Sequence, residues 1–326
     1  MTNPIRFGAV LWSQASDWPG FLAAAQRAER LGFDSVWTWD HLLAIFGDPD
    51  QPILEGYVAL GALAQATSRV ELGLLVGANT FRNPGVATKC VLTLDQVSNG
   101  RAILGIGGAW FQREHEAYGL DFGSGHGERL DRLAEAVPAM RTWLDGGRVT
   151  SPPGGHYAFD DLAMLPRSVR PHLPIMIGGS GEKKTLPIVA RYADQWNAFG
   201  EPGELAAKDA ILRARCADVG RDPDTIERTV GCKVTIRRTD AAARQAIRDL
   251  LVHNHTSPDL PATDRTFWTG TPDAIAARML DYAAVGFRTF LVELPAPYDA
   301  ETMELLMDEV KPRVQAGLDG RSGSHA

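Results

Sequence analysis

Short runs of β-branched and aromatic residues alternate along the chain with longer stretches whose apolar positions recur at helical spacing. Runs at 5–11, 34–38, 70–76, 101–106, 175–178, 193–198, 229–236 and 287–294 predict eight strands. Helix starts are marked where Asp17 stands ahead of Pro19, Asn83 before Pro84 and Thr271 before Pro272, a capping residue beside a proline of the first turn. Gly32 and Gly286 each end a helix just before a strand, so that AERLGFDSVW and YAAVGFRTFL spell nearly the same junction. A strand count of eight with intervening helices favours a closed α/β barrel, (β/α)8, over an open doubly wound sheet.

Two segments break this rhythm. Residues 146–170, GGRVTSPPGGHYAFDDLAMLPRSVR, are rich in Gly and Pro with one short alternating run, and predict a hairpin-like insertion before the fifth strand. Residues 253–271, HNHTSPDLPATDRTFWTGT, are polar and carry aromatics, and predict a lid or partner surface before the eighth. The surplus of 326 residues over about 250 for a plain barrel is thereby assigned to insertions in a single domain spanning 1–316. The remainder, 317–326, has little to bury and reads as a frayed tail.

Composition narrows the partners. A net charge of −7 argues against the phosphate-backbone electrostatics of a nucleic-acid binder. No run of about 18 apolar residues appears, and MTNPIRFGAVLW lacks a signal-peptide layout, so no membrane partner is expected. Cys90, Cys216 and Cys232 are odd in number and widely spaced, which fits a reducing, cytoplasmic setting better than a disulfide frame or zinc site.

Candidate chemistry belongs at the C-terminal ends of barrel strands. After the second, TWDHLLAIFG places Asp40 beside His41, a carboxylate able to orient an imidazole that donates or accepts a proton near neutral pH. After the fourth, LGIGGAWFQREHEAYG offers Gly105, Gly107 and Gly108, which let a flat or anionic ligand approach the backbone. After the fifth, MIGGSGEKKTL sets Gly178, Gly179 and Ser180 ahead of a helix as an anion cradle, with phosphate the favoured anion. Plain turn glycines are the alternative for both loops. His253 and His255 lack a third ligand, so no metal is assigned, and neither HExxH, Walker nor GxSxG patterns occur. The helix at 55–67 is apolar nearly all round, which points to a homodimer packed through it and the helix at 84–98.

The phrases AERLGFDSVWTWDHLL, ATSRVELGLLVGANTFRNPGVATKCVLTLDQVSNGRAILGIGGAWFQREHEAYG and LPIMIGGSGEKKTLPIVARYADQWNAFG resemble the luciferase-like oxidoreductases, in their F420-dependent branch, and fall in that family's order and spacing. The resemblance implies coenzyme F420, or FMN as the alternative, bound across the barrel mouth. It implies a bulge at the end of strand three, often with a non-prolyl cis peptide, that sets Leu75, Val76 and Gly77 behind the ring. It assigns Asp40 and His41 as the ring-proximal pair and Gly107, Gly108, Gly178, Gly179 and Ser180 as the loops near the cofactor's phosphate and side chain. His41 would handle the proton that accompanies hydride transfer to or from a small organic substrate. Sugar-phosphate dehydrogenases of this branch carry an acid where this chain has Gly108; Glu114 and His115, farther along, either replace it or anchor the loop. Trp39, Trp110, Trp196 and Phe199 are expected around the substrate. The rival readings are an FMN-dependent monooxygenase fed by a separate reductase, and a non-catalytic flavin carrier.

Overall fold

The computed structural model describes residues 4–323. Strands β1 (Arg6–Leu11), β2 (Ser35–Thr38) and β3 (Glu71–Leu74), the short β4 (Gly77–Ala78) and β5 (Ala102–Gly107) lead to a hairpin of β6 (Arg148–Val149) and β7 (Leu162–Ala163). Then follow β8 (Ile175–Gly178), β9 (Gln195–Ala198), β10 (Glu227–Ile236), β11 (Phe267–Gly270) and β12 (Thr289–Leu294). Parallel pairing runs β1-β2-β3-β5-β8-β9-β10-β12 and returns from β12 to β1, closing the eight-stranded barrel that the alternating pattern predicts. Helices α1 (Trp18–Leu31), α2 (Gly56–Ala66), α3 (Pro84–Ser98), α4 (Gln112–Tyr118), α5 (His126–Leu144) and α6 (Thr185–Tyr192) fill the first connections.

The caps form as their residue types require. Asp17, Asn83 and Thr271 each accept a backbone N–H of the first turn, and Gly32 ends α1 with φ at 91°, a left-handed conformation that a side chain would strain. The insertion at 146–170 holds the two-residue antiparallel pair β6–β7.

The insertion at 253–271 is not wholly irregular. Its last residues form β11, a parallel strand that the sequence reading missed. The cause is the length of β10, ten residues. β9 pairs with its residues 227–230 and β12 with 229–233, and β11 pairs with 233–236. The expected tail differs over its described part: a C-terminal helix, Lys311–Gly323, continues past Gly317 and buries Leu318, only 6% exposed, while 324–326 lie outside the described residues.

Two apolar layers result. One lies between the strands and the helical shell; the other is inside the barrel, where Val10, Trp12, Trp37, Trp39, Ile103, Met176 and Leu291 stack. Gly8 and Gly73 make room for the Trp37 indole, since a Cβ at Gly73 would lie 2.5 Å from it. At the strand starts, Arg6 bridges Glu71 and Glu227 while Arg170 also reaches Glu71. This end is closed by ion pairs, and the cavity opens at the other.

Candidate active site

A cavity of about 550 Å³ occupies the C-terminal mouth. Its back wall is a bulge. Gly73 pairs with Ile103 and Gly77 with Ile106, so four steps along β3 and β4 match three along β5 and one residue is extra. Within it the Leu75–Val76 peptide is cis, and both side chains line the cavity.

The bulge explains several glycines. A Cβ on Gly105 would sit 1.9 Å from the Leu74 carbonyl oxygen; on Gly107 and Gly178 it would meet Val76 methyls at 2.8 and 2.9 Å. Gly107 and Gly178 therefore admit Val76, and both also line the cavity, where the cofactor approach was expected of them. Gly108, Gly179 and Ser180 line the open side, Gly179 with φ at 115°.

Asp40 is buried beside the bulge and lines the cavity. Its Oδ2 accepts the Ala78 N–H at 2.8 Å, and Arg82 Nη1 donates to both carboxylate oxygens at 2.9 and 2.8 Å. Arg82 also donates to Glu55 Oε1 at 2.6 Å. Burial works against the Arg82 cation, but the carboxylates beside it, Asp40 foremost, hold it well above its ordinary range. Asp40 thus ties the bulge to the following loop and, contrary to expectation, does not orient His41.

Glu114 does that. It sits on α4, only 2% exposed, and its Oε1 lies 2.9 Å from His41 Nδ1 while Oε2 accepts the Leu42 N–H at 2.9 Å. A carboxylate only accepts, so Nδ1 carries hydrogen and Nε2 is the nitrogen left for the cavity, which His41 lines. The neighbouring His115 is an anchor instead: fully buried, it donates through Nδ1 to the Phe111 carbonyl and accepts at Nε2 from Thr80 Oγ1.

The aromatic expectations divide. Trp39 forms part of the floor against Trp12 and Phe46, and Trp110 stands at the mouth, 61% exposed, with its ring edge-on to His41. Phe199 also lines the cavity. Trp196 does not: it is fully buried against Phe287 and donates Nε1–H to the Gly179 carbonyl. Strand alternation turns Trp196 outward while Asn197 faces in. His253, weighed as a ligand, bonds the Ala15 carbonyl instead, and no metal-binding cluster occurs among the described residues.

At the outer rim, Ser180, Gly181, Thr185 and His126 bring the first turns of α5 and α6 to one edge. The inner wall holds Asn197, Lys233 and Glu293, which the sequence reading passed over. Their signal was a polar or charged residue between apolar neighbours within the strand phrases QWNA, ERTVGCKVTI and TFLVEL: Asn197 between Trp196 and Ala198, Lys233 between Cys232 and Val234, and Glu293 between Val292 and Leu294. Arg82 had no comparable local signal.

Comparison with known proteins agrees with this architecture. The model of the luciferase-like monooxygenase family matches residues 4–289, so the chain belongs to that family. It is 28% identical to the F420-dependent glucose-6-phosphate dehydrogenase of Microbacterium testaceum (strain StLB037), over 97% of this chain and 99% of that one. It is 29% identical to the F420-dependent hydroxymycolic acid dehydrogenase of Mycobacterium tuberculosis (strain ATCC 25618 / H37Rv), over 73% and 65%. Among solved structures, an F420-dependent secondary alcohol dehydrogenase in complex with an F420-acetone adduct shares the fold with a TM-score of 0.81 at 20% identity, over 96% of this chain and 99% of that one. Among the described residues no helix is long and apolar enough to cross a membrane.

Proposed function

We propose that this protein is an oxidoreductase that binds coenzyme F420 across the barrel mouth and moves hydride to or from a small organic substrate. The observation that carries the reading is His41, held by Glu114 at 2.9 Å with its Nε2 left to a cavity whose back wall is the Leu75–Val76 bulge. The names of the relatives supply the choice of F420.

The residues fit such a group. Leu75, Val76 and Gly77 offer an apolar shelf for a planar ring, and Gly108 and Gly179 keep its flank free of side chains. Ser180, Gly181 and Thr185, with backbone amides at two helix starts, suit a phosphoryl group. When bound, the deazaflavin supplies hydride donation or acceptance. The chain does the rest: Glu114 fixes the His41 tautomer, Nε2 takes or returns the proton, and Trp39, Phe46 and Trp110 keep water from the reacting carbon. Asp40 and Arg82 hold the bulge in place and move no proton.

The exposed faces of α2 and α3 carry Val58, Val86 and Val97, at 75%, 54% and 39% exposure, and support a homodimer through these helices. A partner dehydrogenase or reductase that exchanges the cofactor belongs to the same reading.

Fluorescence titration of the purified protein with oxidised F420 and with FMN tests the assignment. Quenching of F420 at micromolar concentration is expected; preferential FMN binding overturns it in favour of a flavin monooxygenase. Unchanged turnover after His41→Ala makes His41 a bystander.

A further inference from the structure

The inner wall of the cavity carries a charge arrangement that the proposed chemistry does not use. In the register of β10 and β12, Lys233 stands directly beside Glu293. Both line the cavity, and they are 7% and 4% exposed. Opposite charges in such a position ordinarily bond to each other. Here they do not. The Lys233 ammonium reaches Thr266 Oγ1 at 2.7 Å and Asp264 Oδ2 at 3.5 Å, both in the segment leading to β11. Glu293 Oε2 accepts Trp12 Nε1–H at 2.9 Å, and its Oε1 has no hydrogen-bond partner among the described residues.

Glu293 lines the cavity with a carboxylate oxygen that meets no protein donor, so a ligand that enters must bring a donor to it or leave its charge without one. Lys233 has three N–H donors and two side-chain partners, which leaves one for a ligand oxygen. Resting on the oxidoreductase reading, we propose that Lys233 and Glu293 are the substrate's polar anchor and select an uncharged molecule carrying a hydroxyl group. Glu293 Oε1 accepts the hydroxyl hydrogen, and Lys233 donates to the oxygen of that group or of its neighbour.

The charge census supports an uncharged ligand. Asp264 compensates Lys233, Arg82 compensates Asp40, and Glu114 spends its oxygens on His41 and Leu42. What remains uncompensated on the inner wall is Glu293, which repels a phosphate ester. The second insertion acquires a role here, because it supplies the Asp264 that neutralises the one inner-wall cation.

The test is calorimetric titration of F420-loaded protein with glucose, cyclohexanol and glucose 6-phosphate, in the wild type and in the Glu293→Gln and Asp264→Asn variants. Gln keeps an acceptor for Trp12 and the side-chain volume, so folding is retained. At least one uncharged probe is expected to bind, more tightly than glucose 6-phosphate, and to lose about tenfold or more in affinity in Glu293→Gln, the scale of one hydrogen bond to a charged group. Asp264→Asn, which leaves Lys233 uncompensated, is expected to improve glucose 6-phosphate binding severalfold. Tighter binding of glucose 6-phosphate by the wild type, an unchanged Kd in Glu293→Gln, or no binding of either uncharged probe overturns the proposal. The F420 titration is read separately: its failure removes the oxidoreductase reading, whereas F420 binding with any of those three results removes only the anchor.

Discussion

Glu114 accepts the Nδ1–H of His41 at 2.9 Å across 73 positions of sequence. The same carboxylate takes the Leu42 N–H, so it orients both the ring and the backbone that carries it. One helix of the fourth connection thereby sets the direction of a side chain from the second.

If that bond holds the imidazole in its working tautomer, Glu114→Gln lowers kcat by about 10- to 100-fold, and His41→Ala by about 10²- to 10⁴-fold. F420 affinity should change less than about threefold in both, since neither side chain binds the cofactor's side chain in this reading. Steady-state kinetics alongside fluorescence titration separates the two effects. A loss of F420 binding equal to the loss of rate would make Glu114 a cofactor ligand instead.

The bulge makes its own prediction. Gly105→Ala brings a Cβ to 1.9 Å from the Leu74 carbonyl oxygen, which is backbone and has no rotamer to yield. Overpacking of this kind costs about 1–3 kcal/mol or more, and here the displaced atoms form the ring shelf. Urea unfolding should show the loss of stability, and F420 titration a weaker complex. A variant of wild-type stability and affinity would mean that the bulge is plastic.

Arg82, half-buried, pairs with the buried Asp40, their side chains 17% and 2% exposed. Removal of one partner strands the other charge, so Arg82→Ala should cost about 3–5 kcal/mol. The double variant Arg82→Ala with Asp40→Asn should recover a large part of that, because no buried charge is then left alone. Equal destabilisation of the single and double variants, read from urea midpoints, would show that Arg82 acts only through Glu55 and its packing on Tyr57.

Trp196 lies in the wall and not in the cavity. Trp196→Phe gives up the hydrogen bond to the Gly179 carbonyl and part of the packing against Phe287, a loss of about 1–3 kcal/mol. Substrate KM should stay within about twofold of wild type. A selective rise in KM would return Trp196 to the substrate site.

The exposed valines of α2 and α3 predict assembly. Sedimentation should give about twice the 35.4 kDa chain mass at micromolar concentration, and Val86→Glu should shift the protein toward monomer. A wild-type mass near that of one chain excludes the dimer.

Much of this was legible in the sequence because it is locally encoded. Period and turn chemistry mark the eight barrel strands, the caps at Asp17, Asn83 and Thr271, and the glycine loops, since each depends on neighbours within a few residues. His41 was identifiable from its place after a strand. Its true partner was not, because Asp40 is adjacent in sequence and Glu114 adjacent only in space. Barrel closure decided that relation, as it decided that Gly107 and Gly178 make room for Val76, that Trp196 faces outward beside an inward Asn197, and that β11 takes a free stretch of β10. It also set Lys233 next to Glu293 and turned each toward a different partner. Periodicity records how much of a residue is buried, whereas charge pairing depends on strand register between segments tens to hundreds of residues apart, which only the closed barrel brings into contact.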